Sequence, residues 1–106
     1  MYAAQGGLIA VIPAGERWPD GGLRPAIEDL IGAGAIADEL GIPCSPEAEI
    51  ARQAFRSAQP FLASLLRDCV SGRELIYRGF PQDVEAAIEL NTSAAAPLLI
   101  NGAYIG

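Results

Sequence analysis

The charged side chains that could do chemistry are concentrated between residues 16 and 29. This stretch contains, in order, Glu16, Arg17, Asp20, Arg24, Glu28 and Asp29. Guanidinium groups bind phosphate or sulfonate through paired hydrogen bonds, and carboxylates together hold Mg²⁺. The pattern therefore fits an anion- and metal-binding loop. It also fits a solvated loop with surface ion pairs and an acidic first helical turn, the commoner case from composition alone.

Glu28 and Asp29 are neighbours in the chain, at the start of a predicted helix. Adjacent helical side chains point about 100° apart, so both cannot reach one ion unaided. We expect one of them to face the site and the other to cap the helix or pair with a cation. The sequence leaves both assignments open.

A second group of candidate residues is the run Ser71-Gly72-Arg73-Glu74. A hydroxyl followed three residues later by glutamate is the capping-box pattern, which predicts a short helix beginning here and ending at Gly79. Amides and a guanidinium at a helix start could bind an anion. A plain cap with a surface arginine is the alternative. Cys69 lies too close to Arg73 to form the phosphate loop of a cysteine phosphatase.

The first element expected to position these residues is a strand. The apolar run from Gly7 to Pro13 predicts a buried strand of the parallel-sheet type. Residues 14–22 then form a loop, because glycines, prolines and a Pro-Asp-Gly turn oppose regular structure. Such a strand needs neighbours for its backbone hydrogen bonds, and the sequence supplies too few. We therefore expect a missing sheet, contributed by another chain or another half of this one.

The remaining elements are mostly helical. One helix begins at Arg24-Pro25 and ends near Gly41, with Gly32 and Gly34 inside it suggesting close backbone packing. Further predicted elements are helices from Ser45-Pro46 to Ala58, from Pro60 to Asp68 and from Pro81 to Leu90, and a strand over 97–100 that runs into Asn101-Gly102.

Composition excludes several functions. The chain has 106 residues, 51% of them hydrophobic, and a net charge of −6, with seven arginines and neither lysine nor histidine. So acidic a chain does not bind nucleic acid or an anionic membrane surface. Without histidine or lysine it has no Ser-His-Asp triad, histidine-ligated zinc or Schiff base. Cys44 and Cys69 are expected to be reduced, partly buried thiols. Since no targeting signal or membrane span is evident, we expect a cytoplasmic protein.

Several runs resemble the 2-phosphosulfolactate phosphatase family, in its order and spacing and over nearly the whole chain. They are residues 11–18 (VIPAGERW), 20–35 (DGGLRPAIEDLIGAGA), 45–48 (SPEA), 71–75 (SGREL), 79–80 (GF) and 83–84 (DV). The resemblance implies an α/β fold with a mixed sheet between helical layers. It also implies Mg²⁺-dependent hydrolysis of 2-phospho-3-sulfolactate to 3-sulfolactate and phosphate, a step of coenzyme M biosynthesis.

The same resemblance assigns roles to the candidate residues. Glu16, Arg17 and Arg73 would be catalytic, and the substrate, a small phosphorylated sulfonate or related phosphomonoester, would be bound by Arg17, Arg24, Ser71, Gly72 and Arg73. Mg²⁺ would be held by Glu16 with Glu28 or Asp29.

Family members also have an N-terminal half with Asp-Val-Leu-Arg-Ala-Thr and Asn-Gly-Thr segments that this chain lacks. Residues 1–106 are therefore expected to be a single domain or the helix-rich C-terminal half of a three-layer α/β/α domain, partnered by the missing half or by copies of itself. The alternatives are a non-catalytic remnant, a self-assembling α/β module with an anion-binding loop, and an anion-binding domain without turnover.

Overall fold

The computed structural model describes residues 6–106. Its α-helices are α1 (Ile27–Leu40), α2 (Pro46–Ala58), α3 (Leu62–Asp68), α4 (Val70–Tyr77) and α5 (Pro81–Ile88), with a 3₁₀ turn at Gln59–Phe61. Its strands are β1 (Glu16–Arg17), β2 (Leu23–Arg24), β3 (Leu98–Ile100) and β4 (Ala103–Ile105). They form two separate antiparallel pairs, β1–β2 and β3–β4. The fold is thus mixed α and β, but the described strands do not join into one mixed sheet.

The tightest packing joins α1 and α2. Ile31 on α1 and Phe55 and Ala58 on α2 form a buried cluster. A Cβ at Gly34 would overlap the carbonyl group of Ala51, so glycine lets the two backbones approach. The predicted close packing is confirmed at Gly34 and wrong at Gly32, where a Cβ would meet open space.

The predicted helix ends agree closely with the structure. Gly41 adopts a left-handed conformation (φ 62°) after α1, and the Ser45 hydroxyl accepts a hydrogen bond from the Ala48 amide at 3.2 Å before α2. α1 begins later than predicted because Arg24 belongs to β2 and Ala26 occupies the N-cap position. Among the helices of residues 6–106, none is long and apolar enough to cross a bilayer.

The capping box predicted at Ser71 is wrong. The N-cap of α4 is Cys69, whose Sγ accepts a hydrogen bond from the Gly72 amide at 3.4 Å. The helix therefore begins earlier, and Ser71 lies within its first turn. The Glu74 carboxylate cannot serve as the reciprocal cap because it bonds two arginines instead.

The buried strand predicted over residues 7–13 is also wrong. These residues have no strand pairing, and the side chains of Leu8 and Ile12 are 104% and 82% exposed. An apolar pattern gives β-structure only where a neighbouring strand accepts its backbone hydrogen bonds. No such neighbour is present within the described part of the chain.

Short hairpins account for the strands that do form. Residues 14–22, predicted as irregular, include β1, and the turn to β2 is closed by a hydrogen bond from the Trp18 amide to the Gly22 carbonyl at 2.8 Å. The predicted strand near residue 97 is confirmed as β3. Asn101 and Gly102, both with positive φ, turn the chain into β4, a strand that was not predicted.

Candidate functional site

A cavity of about 330 Å³ collects most of the predicted site residues. Its walls come from the β1–β2 hairpin and the α-helices α1, α3, α4 and α5. Six of the eight predicted residues line it: Glu16, Arg17, Arg24, Glu28, Ser71 and Gly72. The structure therefore joins the charged loop to the start of α4, although the two are far apart in sequence.

Arg24 is the buried cation of this cavity. Only 9% of the residue is exposed, and its Nη2 donates to Oε2 of Glu74 at 3.2 Å. Its guanidinium carbon lies 5.7 Å from the ring centroid of Trp18, within the range of a cation–π interaction. Trp18 and Glu74 thus fix a guanidinium group at the cavity wall.

Arg17 also lines the cavity, but its side chain is exposed and its Nη1 donates to the Gly21 carbonyl at 3.0 Å. This bond holds the Arg17 side chain against the turn between β1 and β2. An incoming anion must therefore compete with a single neutral carbonyl, which is a weaker acceptor than a charged oxygen.

The structure separates the roles of Glu28 and Asp29. Glu28 lines the cavity, and its Oε2 lies 3.9 Å from Sγ of Cys69. Asp29 is turned away and accepts a hydrogen bond from the Gly15 amide on Oδ2 at 2.7 Å. Glu28 is therefore the carboxylate that faces the site, and Asp29 holds the preceding loop against α1.

The start of α4 contributes two of its three predicted residues. The Oγ of Ser71 is buried and has no hydrogen-bond partner within residues 6–106. Gly72 is buried, and a Cβ there would overlap the Leu66 carbonyl, so α3 and α4 are in close contact. Arg73 is exposed and does not line the cavity.

Sequence reasoning missed three polar residues at the cavity. They are Cys69, Glu74 and Arg78. The sequence predicts only a reduced, partly buried thiol at Cys69 and half of a capping box at Glu74, and it gives Arg78 no role. Both cysteines are free, as predicted, but Cys44 is exposed and not partly buried. One sequence signal could have found Glu74 and Arg78. They are four residues apart, at the end of a predicted helix, and side chains at that spacing face each other.

A magnesium site was tested against the donors present. Over residues 6–106, no group of three or more histidine, cysteine or acidic side chains is placed to hold an ion. In phosphate sites, however, Mg²⁺ commonly takes one or two carboxylates, with waters and phosphate oxygens as further ligands. Glu16 and Glu28 are carboxylates of this kind at the cavity, so the donor types fit, while Asp29 is engaged with Gly15.

Comparisons of the chain with protein-family models, with curated proteins and with solved structures found no match in any of the three. The resemblance to the 2-phosphosulfolactate phosphatase family therefore depends on the sequence runs alone. What the chain does has to be argued from the cavity itself.

Proposed function

We propose that the cavity binds a phosphate monoester and that the chain is a Mg²⁺-dependent phosphatase, or half of one, resembling 2-phosphosulfolactate phosphatase. Its substrate would be 2-phospho-3-sulfolactate, and its products 3-sulfolactate and phosphate. The observation that carries the proposal is the convergence of separate segments on one cavity with two predicted anion-binding arginines and two predicted metal-binding carboxylates.

The chemistry needs no histidine. Arg24 and Arg17 would bind the phosphoryl oxygens through charge-assisted hydrogen bonds. Glu16 and Glu28 would hold Mg²⁺, which polarises the phosphoryl group as a Lewis acid. Because Arg73 lies outside the cavity, phosphate binding is assigned here to Arg17 and Arg24.

The direct test is phosphate release from 2-phospho-3-sulfolactate, with and without Mg²⁺, by chain whose folding has been checked by circular dichroism. Arg17→Ala should lower metal-dependent release about a hundredfold, the usual effect of removing one transition-state donor. Arg56→Ala is the matched control, because Arg56 pairs with Asp38 and does not line the cavity. A folded chain that releases no phosphate would contradict activity of this chain alone.

The three-layer α/β/α arrangement belongs to the same proposal. The described strands form only two-stranded pairs, so strands from a second polypeptide would have to complete such a sheet. The segment 7–13 is the edge on which they would add, because its backbone makes no hydrogen bond to another backbone group in residues 6–106.

A second candidate function, a non-catalytic assembly module, is favoured by the amount of uncovered surface. The chain exposes 8114 Å². A compact monomer of 11.1 kDa exposes roughly 5,700 Å². The radius of gyration is 15.2 Å, against about 13 Å for a compact domain of this length. Sedimentation equilibrium distinguishes the candidates: a stable oligomer without phosphate release supports the module, and a monomer contradicts self-assembly.

A further inference from the structure

Glu74 spans two arginines at the cavity wall. Its Oε2 accepts a hydrogen bond from Nη2 of Arg24 at 3.2 Å, and its Oε1 accepts one from Nη2 of Arg78 at 2.9 Å. All three residues line the cavity. One carboxylate thus bridges two guanidinium groups from different segments, as the oxygens of a bound oxyanion would.

Arg24 has hydrogen-bonding capacity that Glu74 does not use. Arginine carries five N–H donors, and the bond to Glu74 is the one hydrogen bond its side chain makes within residues 6–106. None of its nitrogens is among the fully buried atoms without a partner. The unused nitrogens therefore keep some exposed surface, and Arg24 lines the cavity.

Burial explains why a carboxylate sits there. The Arg24 side chain is 11% exposed, and a charge so far from water is costly without a counterion. Glu74 supplies that counterion and is itself 42% exposed, so its carboxylate can move toward water when another anion replaces it. Arg78, at 64% exposed, is equally reachable.

We propose that Glu74 is an internal carboxylate that competes with phosphate for Arg24 and Arg78, and that Arg78 is an anion-binding residue. This rests on the proposed function, in which the cavity takes a phosphate monoester. A phosphate group carries more charge and more acceptor oxygens than a carboxylate, so it can displace Glu74 from both arginines. Glu74 therefore lowers the affinity for every anion and selects for those of higher charge.

The test is titration calorimetry with inorganic phosphate, without metal or turnover. Glu74→Gln should tighten phosphate binding about tenfold, because the amide keeps the shape of the carboxylate but not its charge; Arg78→Ala should weaken it by about the same factor. Matched controls are Glu85→Gln and Arg56→Ala, which break ion pairs outside the cavity and should leave the affinity unchanged.

The gain from Glu74→Gln must also depend on Arg78. In the double variant Glu74→Gln/Arg78→Ala, phosphate affinity should stay below that of the unaltered chain and close to that of Arg78→Ala, whereas two independent tenfold effects would cancel. Unchanged or weaker binding by a folded Glu74→Gln variant would overturn the proposal, since Glu74 would then only position Arg24.

A measurement on the unaltered chain keeps the test valid if a variant does not fold. Saturating phosphate should shift the NMR signals of the Arg24 and Arg78 guanidinium groups, while the Arg56 signals stay in place. No shift at Arg24 and Arg78 would overturn the proposal. Phosphate binding without turnover would instead contradict phosphatase activity of this chain alone and leave the role of Glu74 supported, so the two failures are distinguishable.

Discussion

The helix pair α1–α2 and the segment 7–13 are both rich in apolar residues, yet only the helices bury them. Phe55 on α2 is 4% exposed and Ile31 on α1 is 5% exposed, whereas Leu8 is fully exposed. A helix satisfies its own backbone hydrogen bonds, so two helices can pack as soon as their faces fit. A strand depends on a neighbour, and without one its apolar side chains remain in water.

The space between the segment 7–13 and the helix pair is also poorly packed. An apolar cavity of about 680 Å³ separates the segment from α1 and α2, with Leu8, Ile9 and Val11 on one side and Leu30, Ala33 and Ala51 on the other. Protein cores leave few gaps larger than a water molecule. The segment therefore lies over the helices without packing into them, and we expect substitutions in the two regions to differ sharply in cost.

The largest expected effect is in the helix pair. Phe55→Ala should lower the free energy of unfolding by about 3–5 kcal/mol, because it removes a buried ring and leaves a void. Ile50→Ala is the control on the same helix, since Ile50 is 66% exposed, and it should change stability by about 0.5 kcal/mol or less. Urea unfolding followed by circular dichroism measures both. Equal losses of unfolding free energy in the two variants would show that α2 does not bury the face that carries Phe55.

Close approach of the two backbones gives the next effect. Gly34→Ala should cost about 1–3 kcal/mol, because the new methyl group overlaps the Ala51 carbonyl and α1 and α2 must separate. Gly32→Ala should stabilise the protein by about 0.5–1 kcal/mol, since alanine is the better helix former and open space surrounds it. The same urea titration checks the opposite signs. A stabilising Gly34→Ala would contradict the helix packing.

These two glycines show what the sequence could and could not predict. Local signals fixed the helices: the Ser45 cap, Gly41 after α1 and the apolar spacing along α1 need no distant partner. Gly32 and Gly34 looked alike because only the position of α2 distinguishes them. For the same reason the strand prediction over 7–13 failed, since an apolar run does not reveal whether a neighbouring strand exists.

The candidate site, too, could be predicted from the sequence only in part. The charged loop was predicted from residue types and spacing, and the structure brings most of it to one cavity. Which of Glu28 and Asp29 faces that cavity depended on where the loop at Gly15 lies against α1, and the pairing of Glu74 with Arg24, fifty positions away, depended on how β2 lies against α4. Such long-range pairings leave no periodic signal in a single sequence.

A smaller effect is expected where the segment is tied to the helices. The hydrogen bond from the Gly15 amide to the Asp29 carboxylate, at 2.7 Å, joins the loop that follows the segment to α1. Asp29→Ala should cost about 1–2 kcal/mol and speed hydrogen exchange at the Gly15 amide. Asp29→Asn keeps an acceptor and should restore part of the protection. Unchanged exchange in Asp29→Ala would show that the bond does not hold the loop.

The smallest effect is expected at Ile12, and its meaning depends on the state of association. Ile12 is 82% exposed and does not line the apolar cavity, so Ile12→Ser should change the unfolding free energy of the isolated chain by about 0.5 kcal/mol or less. A loss as large as that of Phe55→Ala would mean that the segment is buried in solution, against a copy of the chain or another surface. Sedimentation equilibrium on the same samples decides the source: if a copy covers the segment, Ile12→Ser weakens self-association, and Ile50→Ala on the exposed face of α2 does not.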